Sequence, residues 1–277
     1  MANEHWTIEG LPWNRLEPKK VDADLLKVVK AAALVEYNAE VYADYLCRIF
    51  GDDPEFQAHA RQWAVEEVQH GAALGAWAEK IDPMWNLEEA MAKFRAGYSP
   101  EHFVNSEANS VRGSRSGEMV ARCMVETGTS SYYSAIGEAT SEPVLKEICK
   151  NIAADEFRHY KLFYDTLNKY LSIENLTRLK RLQIALARIA ESEDDELSYA
   201  FFAANANDNE QYDRKVWNKA YMQRAYSYYQ FKHMDRVVAM VFKACGFKPH
   251  TLPHKVATKF AWWRIDSETK RMKKLAA

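Results

Sequence analysis

A chain of 277 residues, 48% apolar with only 10 Gly and 8 Pro, can bury a large core, which excludes a disordered or fibrous chain and points to helices. Its formal net charge of -2 selects no partner. Cys47, Cys123, Cys149 and Cys245 form no Cys-x-x-Cys pair, which argues against a disulfide framework, a zinc ribbon or a rubredoxin-type iron site and leaves buried small hydrophobes in a reducing compartment.

Residues 1–20 form an arm rich in Trp, Pro and charge, without a clear period, expected to pack over the outside of the molecule. Its first 13 residues are polar and interrupted by Pro12, so no signal peptide is expected. No apolar run approaches the ~20 residues of a membrane span, and the expected location is the cytoplasm. A first long helix is predicted from Asp22 or Asp24, both good N-caps, to about Phe50, where Gly51-Asp52-Asp53-Pro54 stops it. Alternating steps of four and three read Leu25, Val29, Ala32, Glu36, Ala39, Ala43, Leu46 and Phe50, an apolar seam with one carboxylate at its middle. Glu40 falls off that seam and stays an alternative.

A second helix begins after the Asp53-Pro54 cap, and its seam reads Phe56, Ala60, Trp63, Glu67, His70, Leu74, Trp77 and Ile81. A long connection follows to about Gly117, with a short amphipathic piece around residues 87–94. Its length suggests a crossover running along a bundle rather than a tight hairpin. The third helix reads Met119, Cys123, Glu126, Thr129, Tyr133 and Ile136; the fourth reads Leu145, Cys149, Ile152, Glu156, His159, Phe163, Thr166 and Tyr170. Beyond Ile173, helices are predicted over about 175–204, 212–245 and 254–275. The expected organisation is an arm (1–20), a four-helix bundle (21–173) and a helical extension (174–277) in one domain.

Four carboxylates and two imidazoles thus fall at the middle of four successive seams: Glu36, Glu67, His70, Glu126, Glu156 and His159. Ionised carboxylates cost several kcal/mol each to bury without partners, and two divalent cations would neutralise four of them. Glu67 with His70, and Glu156 with His159, form Glu-x-x-His pairs that lie one turn apart on one helix face. Two such pairs plus a glutamate from each of two other helices make the ligand set of a dinuclear carboxylate centre in an all-α, ferritin-like bundle. Mixed nitrogen and oxygen ligands suit two Fe ions, with Mn or a mixed Mn/Fe pair as the alternative.

The segments Trp63-Ala64-Val65-Glu66-Glu67-Val68-Gln69-His70-Gly71 and Ile152-Ala153-Ala154-Asp155-Glu156-Phe157-Arg158-His159 resemble the two metal-binding signatures of the soluble acyl carrier protein desaturases. Glu126-Thr127-Gly128-Thr129 is similar to that family's third-helix segment, and the likeness covers roughly residues 22–172. Carried over, it implies that Glu67 and Glu156 bridge two irons, that Glu36 with His70 complete one and Glu126 with His159 the other. It further implies that Glu66 and Asp155 accept hydrogen bonds from the imidazoles, and that Thr129 steers the proton or peroxide during oxygen activation. Gln69 departs from the family, which usually has arginine there. Tyr37, Tyr132, Tyr133 and Trp63 lie near the expected site, as core or as electron relays.

The expected function is an oxygen-dependent di-iron oxidoreductase, desaturase- or hydroxylase-type, acting on an organic substrate. Electrons must come from a ferredoxin or reductase, since the chain shows neither a flavin fingerprint nor a cysteine cluster. The alternatives are a ferroxidase or peroxidase acting on iron or peroxide, and a bundle with a structural metal site. Residues 212–277 carry 15 Lys or Arg against four Asp or Glu, a basic region able to dock an acidic carrier protein or to balance the acidic run at 191–196. Nucleic acid is not the expected partner. Aromatic residues there, including Trp217, Tyr221 and Trp262, are expected to pack on the bundle or to form a homodimer face.

Overall fold

The computed structural model describes residues 5–99, 109–192, 196–207 and 209–276, and among these there are helices and no strand. The bundle is built from α1 (Ala23–Tyr37) with α2 (Ala39–Ile49), then α3 (Pro54–Ile81), and, after α4 (Leu87–Gly97), from α5 (Arg115–Ala139) and α6 (Pro143–Leu171). Side chains cap the starts. Asp22 accepts from the Asp24 N–H at 2.6 Å, Ser114 from Gly117 at 2.9 Å, and Glu142 from Leu145 at 2.7 Å. Pro54 and Pro143 sit in first turns, where a missing N–H costs nothing.

The single helix expected over residues 22–50 is interrupted at Asn38, whose N–H bonds back to Val35 at 3.2 Å. Asn is a weak helix former, and the interruption lies next to a close approach of α3: a Cβ on Gly71 would stand 2.5 Å from the Tyr37 backbone nitrogen and 2.8 Å from the Ala33 carbonyl. The seam nevertheless survives the break, with Ala39, Ala43, Leu46 and Phe50 all buried.

Two apolar clusters fill the bundle, one above the other along its axis. One takes Leu25 to Leu34 of α1, Ala73 to Ala78 of α3, Tyr133 and Ile136 of α5, and Val144 to Ala153 of α6. The other takes α2, Phe56 to Ala64 of α3, Met119 to Met124 of α5, and Tyr160 to Tyr170 of α6. The first halves of α3 and α5 therefore share one end of the bundle. The two helices run the same way, so the connection between them must travel the bundle's length, as in ferritin-like folds. The predicted site residues all lie between the clusters.

The outer helices are α7 (Arg178–Ser192), α8 (Glu196–Asn205), α9 (Arg214–Ser227), α10 (Phe231–Ala244) and α11 (Leu252–Ala276). α7 and α10 lie along α5, α8 against α1, α9 on α8, and α11 on α10 and α9. The helix expected over 212–245 is in fact two. Gln230 starts the second by a reciprocal cap with His233, its N–H donating to His233 Nδ1 at 3.0 Å. Residues 193–195 of the acidic run and 100–108 of the polar connection lie outside the described residues. No helix among the described residues is long and apolar enough to cross a membrane.

Candidate metal centre

Each seam delivers its polar member to one level. Glu36 comes from the last turn of α1, Glu67 and His70 from the middle of α3, Glu126 from α5, and Glu156 and His159 from α6, and all six are buried. Their ligand atoms form two groups: Glu36, Glu67, His70 and Glu156, and Glu67, Glu126, Glu156 and His159. Glu67 and Glu156 belong to both. His70 Nδ1 lies 3.3 Å from Glu156 Oε1 and 3.8 Å from Glu36 Oε2; His159 Nδ1 lies 2.9 Å from Glu67 Oε1 and 3.8 Å from Glu126 Oε2. Glu40 is exposed on α2 and belongs to neither group.

The outer edge of each imidazole is held from the opposite helix. His70 Nε2 on α3 meets Asp155 Oδ2 on α6 at 2.9 Å, and His159 Nε2 on α6 meets Glu66 Oε2 on α3 at 2.9 Å. An Nε2–H that donates outward turns each Nδ1 to the centre, where it can give its lone pair to a cation that displaces its proton. Arg158 bridges the two acids, donating to Asp155 Oδ1 at 2.6 Å and to Glu66 Oε2 at 3.1 Å. Although burial alone would push it up, hydrogen bonds from His159 and Gln62 hold the Glu66 carboxyl at about 2.

Two hydroxyls touch the inner carboxylates. Tyr133 donates to Glu36 Oε1 at 2.6 Å, and Thr129 to Glu156 Oε2 at 2.6 Å, with its own helix carbonyl at Val125 as a second acceptor at 3.2 Å. Burial, and then repulsion from Glu67, pushes the Glu36 carboxyl well above its usual range; burial and Glu156 do the same to Glu126. Burial works against the imidazolium of His70, yet its bond to Asp155 and the nearby carboxylates of Glu156 and Glu36 raise it well above the ordinary value. The cluster answers its own negative charge by holding protons. Divalent cations entering would displace them.

The fit to cations rests on atoms that no described residue satisfies. Glu67 Oε1, His70 Nδ1, Glu126 Oε1, Glu156 Oε1 and His159 Nδ1 are all buried without a hydrogen-bond partner, and all face the centre from the predicted set. Leaving five such atoms unpaired in apolar surroundings would be costly, and two divalent cations would engage them while balancing four carboxylates.

Sequence reasoning missed the arm's part in this site. Trp6 Nε1 donates to Asp155 Oδ2 at 2.8 Å, its ring stacks on His70 with centroids 6.0 Å apart, and His5 Nε2 lies 3.0 Å from the same oxygen. Gln69, which replaces the arginine of the resembled signature, instead donates to the Trp6 carbonyl at 2.8 Å and ties the arm down. Only Gln69 itself signalled this, because the arm has no period to read.

A helical bundle with a carboxylate-histidine cluster between two apolar cores defines the ferritin-like class. Within it, the chain belongs to the fatty acid desaturase family, whose model matches residues 19–216, and it is accordingly a desaturase-type oxidoreductase. The match runs beyond residue 172, where the sequence resemblance stopped, and takes in α7 and α8. Comparison with curated proteins gives no match.

Proposed function

We propose that the protein is an oxygen-dependent di-iron oxidoreductase that oxidises a C–H bond of an organic substrate, with electrons delivered by a ferredoxin or reductase. The observation that carries this reading is the set of five unpaired, buried ligand atoms converging from three helices, α3, α5 and α6. Glu36, Glu67, His70 and Glu156 would hold one iron, and Glu67, Glu126, Glu156 and His159 the other, with Glu67 and Glu156 common to both. When bound, the iron pair supplies oxygen activation and hydrogen abstraction.

The chain's own residues orient and protect that chemistry. Asp155 and Glu66 fix the tautomer and the plane of each imidazole from across the bundle. Tyr133 restrains the Glu36 carboxylate, leaving Glu36 Oε2 turned to His70. Thr129 holds a proton at Glu156 Oε2 and, with the Val125 carbonyl as its other acceptor, can release or take it without leaving its rotamer. Apolar layers on both sides keep bulk water away, with Trp77 above and Trp63 and Phe163 below.

The test is oxygen uptake by the iron-loaded, chemically reduced protein, with and without fatty acids or acyl groups on a carrier protein. Uptake triggered by an organic substrate is expected. Rapid uptake without one would establish a ferroxidase-type activity instead, and a protein that binds no iron would overturn the reading.

A further inference from the structure

The last helix, α11, carries an apolar ridge on the side turned away from the rest of the protein. Its inner face is fixed by His254 and Thr258, both buried against α10: His254 Nε2 lies 3.2 Å from the Asp235 carbonyl, and the Thr258 hydroxyl donates to Asp235 Oδ1 at 3.3 Å. At about 100° per residue, Leu252, Val256, Phe260 and Trp263 fall within about 80° of one another on the opposite face, along about 17 Å of axis. They are 74%, 59%, 63% and 62% exposed. The Phe260 and Trp263 rings stand together, with centroids 5.9 Å apart. Trp262, next in the chain, shows the contrast, since it is half-buried and meets Phe231 of α10 edge-on at 6.3 Å. Four large apolar side chains contiguous on one outer face mark an interaction surface, where single exposed ones would not.

Charge and shape say what covers the ridge. No acid lies between Leu252 and Arg264. Lys255 and Lys259 line one edge of the ridge and Arg264 the other, all three are exposed, and the two lysines form no ion pair among the described residues. The acids further along α11 are answered within the helix, Asp266 by Lys270 at 2.6 Å and Glu268 by Arg271 at 2.7 Å. Residues 212–277 hold 15 Lys or Arg against four Asp or Glu, and residues 1–211 hold 22 against 35, so an acidic body carries a basic cap. A negative surface therefore attracts the cap and repels the body. A ridge on one helix offers no groove in which a partner helix or strand could sit, and it suits a surface that yields to it. A second copy paired through the same ridge would bring cations to both sides and an acid to neither. The family match ends at residue 216, so α11 lies wholly outside the part that this chain shares with its family.

We propose that α11 docks the protein on an anionic phospholipid surface. The helix lies in the plane of the interface, with Leu252, Val256, Phe260 and Trp263 among the upper acyl chains and Lys255, Lys259 and Arg264 at the headgroup phosphates. Trp263 then occupies the boundary that indole rings favour. The docking is peripheral, and the acidic body faces away from the lipid. It stands on α11 alone and not on the metal centre.

Flotation of the full chain with vesicles tests the proposal, using phosphatidylglycerol and phosphatidylcholine in equal parts beside phosphatidylcholine alone. At low salt the anionic vesicles are expected to bind at least about tenfold more tightly than the neutral ones, and about 0.5 M salt should release most of the protein. Phe260→Ser and Trp263→Ser, both at exposed positions, should each weaken binding about fivefold or more while circular dichroism and thermal unfolding stay as in the wild type. Lys255→Glu combined with Lys259→Glu should weaken it about tenfold or more on anionic vesicles. No binding to anionic vesicles, equal binding to both kinds, or wild-type binding by the folded variants would overturn the proposal. So would a concentration-dependent dimer in sedimentation that Phe260→Ser abolishes, which would give the ridge to a second copy, or an acidic carrier protein that binds the ridge and that vesicles do not displace.

Discussion

At the scale of single residues, the centre depends on charge that only cations or protons can answer, and on acids that aim the imidazoles. Asp155 serves four donors, from His70, Trp6, His5 and Arg158. Asp155→Asn keeps the shape, removes the charge and turns an NH2 toward some of those donors. Metal affinity on the His70 side should fall about 10- to 100-fold by competition with a chelator, the usual cost of losing an outer partner. An unchanged affinity would mean that the Asp155 contact does not orient His70. The six central residues were legible in the sequence because each interrupts an apolar seam at its middle, and a mid-seam carboxylate demands a counter-charge. What the sequence could not reveal is which acid serves which histidine. Glu66 reaches His159 and Asp155 reaches His70 across the bundle, contacts set by helix packing rather than by spacing along one chain segment.

At the scale of elements, two glycines of the bundle, on α3 and α5, should respond oppositely to one change. At Gly71 a Cβ would press on backbone atoms of α1 at Tyr37 and Ala33, which cannot move aside without separating α3 from α1. Gly71→Ala should cost about 1–3 kcal/mol despite the better helix propensity of Ala. At Gly128 on α5 a Cβ would meet nothing within 4 Å, so Gly128→Ala should stabilise by about 0.5–1 kcal/mol. Urea unfolding of both variants reads the signs, and a stable Gly71→Ala protein would refute the close approach. The break at Asn38 and this approach belong together. Seam periodicity carries straight through residues 36–43, so it predicted one helix, while the interruption sits beside a backbone contact that periodicity does not record. Tyr228, Tyr229 and Gln230 hid the boundary between α9 and α10 in the same way, with neither Gly nor Pro to mark it.

At the scale of the whole molecule, the bundle is two apolar cores separated by a charged layer, and the outer helices add to those cores. Phe201 of α8 packs against Trp217 and Tyr221 of α9, with ring centroids 6.0 and 5.8 Å apart, so these aromatics of the C-terminal third face inward. The basic excess of residues 212–277 was readable by counting, and so was the long connection between the bundle's two halves. The course of the arm was not, because Trp6 finds Asp155 only once α3 and α6 have come together. The central claim is that the charged layer encloses two metal ions held in common by Glu67 and Glu156. The most direct measurement is anomalous diffraction at the iron edge from crystals of the iron-loaded protein. Two peaks flanked by Glu67 and Glu156, one beside His70 and the other beside His159, are expected; a single peak, or none between these side chains, would contradict the claim.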